Sequence, residues 1–263
     1  MNQSRSCTSG DSHDTDHPSW ESIAVILPVR NSLPYLKNAL DAIDRARGRY
    51  PGEVCIIAVD HESSDGSFRY LEDNLAPQDT LIRSGASNVA GVRNEGAEKA
   101  EATYLAFIDS DTVIPNEYFT EAVTVLYRTT ASATGAMVRV PRSEGRLAHV
   151  WYSLQQNPES GPVHYLNSAN FFVDRFAFNE VGGFDDSLKS GEDSDICMRL
   201  REMGHRIIES LALTSDHLDN PTSLPTFFKQ QVWHAQGMLS TVRLDEVNKP
   251  LAATLGYGFA AVS

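Results

Sequence analysis

The chain has 263 residues, enough for one large α/β domain or for one domain with appendages. Hydrophobic residues make up 41% of it, which is ordinary for a globular protein with a packed core. Its formal net charge of −13 argues against a sequence-independent nucleic-acid-binding protein, because such a protein needs a basic face to contact phosphates. Small anionic ligands are not excluded, since metals and helix N-termini bind phosphate without net positive charge.

Cysteine usage and the two chain ends bear on the cellular compartment. Cys7, Cys55 and Cys197 are too few and too far apart for a disulfide framework, so a reducing cytoplasm is the expected environment. Residues 1–20 are rich in Ser, Asp and His and have no apolar segment, which predicts a disordered tail and not a secretory signal. The largely apolar residues 251–263 fit either a packed terminal helix or the beginning of a membrane segment in a longer parent chain.

The first half of the chain alternates short apolar strands with helices, which implies a mostly parallel sheet covered on both faces. Ligands bind beyond the carboxyl ends of the strands in such sheets. Asp60 and Asp109 both come at predicted strand ends, so one site can collect both. Strands are predicted at residues 23–27, 54–59, 80–83 and 104–108, with helices after Asn31 or Ser32, after the turn 61–66, and over 89–100.

The second half of the chain is less regular, and it contains neither an internal repeat nor a strong domain boundary. Glycines after two of its helical patterns are typical helix stop signals. Its last pattern is that of a long amphipathic helix. Strands are predicted at 133–140 and 206–209, and helices at 147–156, 175–181, 192–203 and 223–247.

The sharpest local feature is the segment 107–111, in which Asp109 and Asp111 follow an apolar strand at positions i and i+2. Extended residues two apart point the same way, so both carboxylates can reach one ion. Carboxylate oxygens suit Mg²⁺ or Mn²⁺, whose coordination is usually completed by waters and substrate phosphates. An isolated Asp-x-Asp also fits a strand-end turn with solvated acids.

The same residues allow a second enzymatic hypothesis. Segment 109–113, Asp-Ser-Asp-Thr-Val, fits the motif of haloacid-dehalogenase-like phosphatases, in which the first Asp is the nucleophile and the second the acid/base. That motif normally ends the first strand of its domain, whereas three predicted strands precede it here. A phosphatase that uses Asp109 is therefore the alternative hypothesis.

A second acidic cluster, Glu192, Asp193 and Asp195, opens a predicted helix. The helix dipole stabilises acids in a first turn by ~0.3–1 kcal/mol each, so capping alone could explain them. Three acids in four residues exceed what capping needs, and their mutual repulsion costs energy. A carboxylate near a metal–phosphate site could instead deprotonate a hydroxyl as a general base.

Placed in order, these segments resemble the inverting family-two glycosyltransferases of GT-A fold. The resemblance covers about residues 22 to 240, and it implies an α/β fold with a mixed, mostly parallel central sheet flanked by helices. With the tail predicted at 1–20, the chain then divides into a glycosyltransferase domain at 21–215 and a C-terminal helical segment at 216–263 that could lie near a membrane. The matching motifs lie at 24–31, 59–66, 91–97, 109–111, 181–185 and 191–193.

The resemblance implies a donor site for a nucleotide sugar. Asp60 would hydrogen-bond the nucleobase in a pocket lined by Pro28 and Arg30. Arg93 would lie beside the nucleotide, and Ser110 would also contact the substrate. Arg30 stands where the family usually has Tyr, so the identity of the nucleobase stays open.

The resemblance also implies a metal and a catalytic base. Asp109 would contact the ribose or the metal, and Asp111 would ligate Mg²⁺ or Mn²⁺ at the diphosphate. His217 falls where some members place a further ligand, although a surface-loop histidine fits equally well. Asp193 would be the base, kept ionised by the helix dipole and only modestly affected by its acidic neighbours, with Glu192 supporting the acceptor site.

These roles together imply transfer of a sugar, with inversion, from a nucleoside diphosphate to a hydroxyl of a carbohydrate or lipid-linked acceptor, as in polysaccharide or glycolipid synthesis. A non-catalytic sugar-nucleotide-binding module is a further alternative. Phe227, Phe228 and Trp233 on the last helix resemble an interfacial segment, which predicts a cytoplasmic protein with peripheral contact to the inner face of the cell membrane. An ordinary core-facing stripe explains the same three residues.

Overall fold

The computed structural model describes Pro18 and residues 20–141, 146–154, 156–221, 223–229 and 232. The predicted N-terminal tail up to residue 17, with Cys7, lies outside the described residues. So do most of the predicted helix 223–247, including Trp233, and the apolar residues 251–263. The described beginning of that helix is helical from 224 to 229. Within the described part of the chain, no helix has both the length and the apolar character that crossing a bilayer requires.

The first half of the chain folds as its sequence predicts, with shifts of a few residues at element ends. Three of its strands, β1, β2 and β4, are apolar and almost entirely buried, as expected where helices cover both faces of a sheet. The elements are β1 Ile23–Val29, α1 Leu33–Arg47, β2 Val54–Asp60, α2 Ser67–Asn74, β3 Thr80–Arg83, α3 Val89–Glu98 and β4 Tyr104–Ile108.

The second half differs more from its prediction. The predicted strand 133–140 ends at Gly135, and both α4 and β8 were absent from the predicted elements. The elements are β5 Thr112–Val113, α4 Tyr118–Thr129, β6 Ala133–Gly135, α5 Arg146–Ser153, β7 Gly161–Pro162, β8 Asn170–Asp174, α6 Arg175–Glu180, α7 Glu192–Glu202, β9 Ile207–Glu209, a 3-10 helix Leu211–Leu213 and β10 Asp216–His217.

In the part of the chain that the structure describes, eight strands form one mixed sheet in the order β3-β2-β1-β4-β8-β6-β9-β7. The first four strands in this order, β3, β2, β1 and β4, are parallel to one another. Strand β8 runs antiparallel to both of its neighbours, β4 and β6. A separate antiparallel ribbon joins β5 to β10. This confirms the predicted mixed, mostly parallel sheet, and it brings the carboxyl ends of β1, β2 and β4 to one edge.

Two apolar layers hold the sheet between helices. One layer joins α1 and α4 to one face of the sheet, and the other joins α3, α6 and α7 to the opposite face. Gly96 permits the close approach of α3, because a Cβ there would lie 2.6 Å from Cγ2 of Ile26 on β1. As packed, the helices α1, α3 and α7 begin near the edge of the sheet that contains the carboxyl ends of β1, β2 and β4.

Candidate active site

The loops that follow β1 and β2 are joined by hydrogen bonds. The amide of Asn31 donates to Oγ of Ser63 at 3.0 Å, and its side-chain oxygen accepts from the amide of Ser64 at 2.8 Å. Asp65 accepts from the amide of Leu33 at the start of α1, at 2.9 Å. Since Asn31 adopts a left-handed backbone conformation (φ 50°), these bonds fix an otherwise unfavourable turn at the mouth of the site.

Asp60, the predicted nucleobase partner, ends β2 and is 2% exposed. Its Oδ2 accepts from the amide of Ser63 at 3.2 Å, whereas Oδ1 is buried without a hydrogen-bond partner among the described residues. A buried acceptor without a partner is costly, so Oδ1 is available to an N–H of a ligand. Pro28 lies in the neighbouring strand, one position before the pairing partner of Asp60, and Arg30 is exposed just beyond the strand end.

Arg93 connects two of the sequence motifs. It lies in α3, whose first turn is capped by the side chain of Asn88. Its Nη2 donates to Oδ1 of Asp109 at 2.7 Å and its Nη1 to Oε1 of Glu192 at 2.9 Å. Because Arg93 is only 3% exposed, it can act on a nucleotide chiefly through these two carboxylates. Burial lowers its pKa, but Asp109 and Glu192 outweigh burial and hold that pKa above its usual value.

The Asp-x-Asp segment is a tight turn that leaves β4. The amide of Thr112 donates to the carbonyl of Asp109 at 2.9 Å, and the buried Ser110 donates through Oγ to Oγ of Ser32 at 2.7 Å. Asp111 is therefore carried past the strand end with its carboxylate turned inward. Its Oδ1 is buried and has no hydrogen-bond partner among the described residues.

The β5–β10 ribbon places His217 against Asp111. His217 pairs with Thr112 across the ribbon, and the amide of Leu218 donates to the carbonyl of Asp111 at 2.9 Å. Nε2 of His217 lies 3.4 Å from Oδ2 of Asp111, and both side chains are mostly buried. His217 is thus part of a strand facing the Asp-x-Asp segment and not a surface-loop residue. Burial raises the pKa of Asp111 to about 6, although His217 opposes this shift.

The chemistry of this pair suits a divalent cation with few protein ligands. Oδ1 of Asp111 and Nδ1 of His217 are buried and unpartnered within the described part of the chain. Among the same residues, no three His, Cys, Asp or Glu side chains are grouped closely enough to hold a metal by themselves. Mg²⁺ commonly takes one or two protein ligands and fills its remaining positions with substrate phosphates and waters, so the two-residue set fits.

The start of α7 positions the acidic cluster, immediately after Gly191 in a left-handed conformation (φ 86°). Oδ1 of Asp193 accepts from the amide of Ser194 at 2.8 Å, and Oδ2 accepts from the hydroxyl of Tyr165 at 2.7 Å. Asp195 is bound by Arg199 one helical turn later, at 2.5 Å, and therefore stabilises α7 itself.

The expectation that the helix dipole dominates the ionisation of Asp193 is wrong. Burial, and after it the adjacent Glu192, raise the pKa of Asp193 to about 6. The helix dipole acts in the opposite direction but is limited to about 1 kcal/mol at exposed ends. Repulsion between neighbouring carboxylates is stronger where water is partly excluded, and here Asp193 is half-buried beside the buried Glu192.

Residues 24–182, more than half of the chain, match the family described as Glycosyl transferase family 2. The chain belongs to this family. The matched region runs from β1 through the end of α6, so it includes Asp60, Arg93 and the Asp-x-Asp segment. The acidic start of α7 lies beyond it.

This family 2 chain is 29% identical over 213 residues to the pre-mycofactocin glycosyltransferase of Mycobacterium tuberculosis, covering 76% of this chain and 44% of that protein. It therefore spans less than half the length of this relative. Among solved structures it resembles a mannosyltransferase of Pyrobaculum calidifontis in complex with GDP-Man and Mn²⁺, with a TM-score of 0.67, 20% identity, and coverage of 92% and 72% of the two chains. The TarS protein of S. aureus in complex with UDP-GlcNAc gives a TM-score of 0.59 at 18% identity, covering 91% and 73%.

These likenesses establish the GT-A fold of the family 2 chain. In its structure the Asp-x-Asp segment follows the fourth strand, β4. The phosphatase hypothesis required that motif to end the first strand of its domain. In addition, the proposed phosphatase nucleophile, Asp109, is engaged by Arg93. Membership of the glycosyltransferase family therefore excludes the phosphatase hypothesis.

Two residues near the acidic groups escaped the sequence-based prediction. Asp219 lies close enough to Asp111 to raise its pKa, and it accepts from the hydroxyl of Tyr35 at 3.2 Å. Its position two residues after His217 was a usable signal. Tyr165 offered none, because it is 28 residues from Asp193 and meets it only through the packing of α7 beside the segment that precedes β8.

Proposed function

We propose that the chain is a metal-dependent, inverting glycosyltransferase that moves a sugar from a nucleoside diphosphate to a hydroxyl acceptor. The observation that carries this proposal is the Arg93 bridge between Asp109 and Glu192. It links the Asp-x-Asp segment, on the donor side, to the residue adjacent to Asp193, on the acceptor side. Donor and acceptor groups thereby belong to one site, as a direct transfer requires.

The donor half of the proposed site extends along the edge of the sheet. Asp60 offers its unpartnered oxygen to a nucleobase N–H, with Pro28 and Arg30 lining that pocket. Asp109 and Ser110 lie at the next strand end, where they would face the ribose. The GDP-Man and UDP-GlcNAc complexes of the two structural neighbours support a nucleotide-sugar donor without selecting its base or sugar.

Asp111 and His217 would hold the cation beside the diphosphate, and Asp109 would assist. The Mn²⁺ in the mannosyltransferase complex supports a divalent cation, without selecting its ligands. A bound Mg²⁺ or Mn²⁺ would supply neutralisation of the charge that develops on the departing diphosphate. The protein's own part is to present these ligands on a strand end and a ribbon, where backbone pairing holds them in place.

Asp193 would act on the acceptor. As the acceptor oxygen bonds to the anomeric carbon, the bond from that carbon to the diphosphate oxygen breaks and Asp193 takes the hydroxyl proton. A single displacement of this kind inverts the anomeric centre. Glu192, held by Arg93, would support the acceptor, which the family resemblance makes a carbohydrate or a lipid-linked molecule.

Metal-dependent binding of a nucleoside diphosphate tests the donor half of this proposal. We expect GDP or UDP with Mn²⁺ to stabilise the protein in a thermal-shift assay, by ~2.7 kcal/mol at about 100 times the dissociation constant. Asp111→Asn should remove most of the Mn²⁺-dependent increment and spare the metal-free shift, because it removes a charged ligand. Asp41→Asn on the exposed face of α1 is the control and should behave as wild type. Equal weakening with and without Mn²⁺ would show that Asp111 is no ligand.

Peripheral membrane contact is proposed for the segment that begins at residue 223. Leu224, Phe228 and Val232 are exposed and follow one another at intervals of four residues, the spacing typical of one helix face. Phe227 does not belong to this face, because it is buried and packs edge-on against Trp151 at 5.5 Å. The core-packing interpretation therefore holds for Phe227, and the exposed stripe is the surface proposed to touch lipid.

A liposome flotation assay checks this proposal. Replacing Leu224, Phe228 and Val232 together by Ser should reduce flotation several-fold, because about 0.8 kcal/mol is lost for each buried CH₂ group removed. Phe176→Ser removes an aromatic from α6 that is even more exposed (74% against 46% for Phe228), and it should have no effect. Wild-type protein that stays at the bottom of the gradient would contradict membrane contact and leave the stripe as ordinary surface.

A further inference from the structure

Within the described residues, the hydroxyl of Tyr165 makes the one side-chain hydrogen bond to the Asp193 carboxylate. It donates to Oδ2 at 2.7 Å, while the amide of Ser194 donates to Oδ1. Each carboxylate oxygen accepts more than one hydrogen bond, so both oxygens keep acceptor capacity for a substrate hydroxyl. The carboxylate is thus held at both ends and still able to receive a proton.

The surroundings of Tyr165 orient its hydroxyl toward Asp193. The side-chain amide of Asn167 reaches the hydroxyl oxygen at 3.5 Å as a weak donor, which leaves the tyrosine hydrogen for the carboxylate. Asn167 is itself held by the amide of Ala169, which donates to its Oδ1 at 2.7 Å just before β8. The start of a strand of the central sheet therefore holds the residues that orient the Tyr165 hydroxyl.

We propose that Tyr165 positions the catalytic base, because its hydroxyl fixes the carboxylate of Asp193 and preferentially stabilises the ionised form that accepts the proton. The inference rests on the proposed function, since it assigns the base to Asp193. Tyr165 acts through Asp193 and not on the substrate. A hydrogen bond to a charged acceptor is among the stronger ones in proteins, so its loss has a measurable effect.

The groups around Asp193 act in opposite directions on its ionisation. Burial and then Glu192 raise the pKa of Asp193, whereas the Tyr165 hydroxyl, the Ser194 amide and the Arg93 guanidinium lower it. Burial and then Asp193 itself raise the pKa of Tyr165 well above its usual value. Tyr165 therefore keeps its hydrogen throughout the pH range in which Asp193 titrates, and it donates continuously.

The test is the pH profile of turnover for Tyr165→Phe, which keeps the ring and removes the hydroxyl. We expect the acid limb of the profile to move upward by about one pH unit, and turnover on that limb to fall about tenfold. The KM for the nucleotide donor should stay unchanged, because Tyr165 does not line the donor side. Loss of packing alone would lower the amount of folded enzyme without moving the limb.

Two comparisons make the outcome decisive. Tyr50→Phe removes a hydroxyl that donates to the carbonyl of Glu21 at 2.6 Å, away from the site, and should leave the acid limb in place.

Should Tyr165→Phe fail to fold, 3-fluorotyrosine at position 165 keeps the shape of the side chain. Its hydroxyl donates more strongly, so the acid limb should move to lower pH. An unmoved limb in the folded variant overturns the role of Tyr165, provided that Asp193→Asn lowers turnover by roughly 10²-fold or more. Normal turnover in Asp193→Asn instead overturns the proposed base.

Discussion

Asp193→Asn is expected to lower turnover by roughly 10²–10⁴-fold, the usual contribution of general-base catalysis. The amide is nearly the same size as the carboxylate but cannot take the proton of the acceptor hydroxyl. Donor affinity should stay close to that of the wild type, because Asp193 lies on the acceptor side of the Arg93 bridge. Steady-state kinetics together with separately measured nucleotide binding would check both parts.

Asp195→Asn is the matched control for this substitution, since it changes the same group in the same helical turn. Asp195 is engaged by Arg199, so its loss should affect the stability of α7 and leave turnover within a few-fold of wild type. Near-normal turnover in Asp193→Asn, or an equal loss in both variants, would place the base elsewhere.

The turnover of the wild-type enzyme should also depend on pH through the ionisation of Asp193. Burial, followed by repulsion from Glu192, raises the pKa of Asp193 from its ordinary value of 3.8 to about 6. A base must be ionised to act, so turnover should be high above this pKa and fall as the pH drops through about 6. A profile flat down to pH 4.5 would contradict the assignment.

Arg93→Met is expected to lower the free energy of unfolding by about 3 kcal/mol and to abolish turnover. Removing one partner of a buried ion pair leaves uncompensated charge, and such changes typically cost ~3–5 kcal/mol. We expect the lower end of this energy range because water can partly hydrate the unpaired Asp109, which is 28% exposed. Most of the cost then comes from Glu192, which is nearly enclosed. Urea-induced unfolding, with a check that the slope is unchanged, measures the difference.

A surface arginine provides the control for the expected loss of stability in Arg93→Met. Arg69, 73% exposed, pairs with Glu72 and Asp73 on α2, so Arg69→Met should cost less than ~1 kcal/mol. Arg93→Lys should recover part of the stability but little of the activity, because one ammonium cannot reproduce the fork that spans both acids. Equal costs for Arg93→Met and Arg69→Met would mean that the bridge contributes little to the fold.

The amino-acid sequence by itself determined the parallel half of the sheet and the residues at its edge. In β1, β2 and β4, continuous apolar runs mark strands that are covered on both faces, and the polar residue that ends each run marks the carboxyl end. Asp60 and Asp109 were therefore assigned to one edge before any contact was known. Parallel topology alone brings such ends together.

Only the tertiary structure decided how the remaining groups meet. β8 is a five-residue strand inserted antiparallel between β4 and β6, and its apolar run has no periodicity that separates it from a buried helix. Its placement, with the packing of α7 beside it, creates the contact between Tyr165 and Asp193. The β5–β10 ribbon likewise brings His217 to Asp111 across about a hundred residues of chain.

The ionisation of Asp193 shows the physical reason for this division. Helix position is a local property, and from it the sequence indicated an ordinary, ionised carboxylate. Burial, the most important cause of the upward shift in its pKa, depends on which distant segments cover the helix start. Local pattern thus determined which residues stand at the site, whereas long-range packing decided their partners, their exposure to water and their proton affinity.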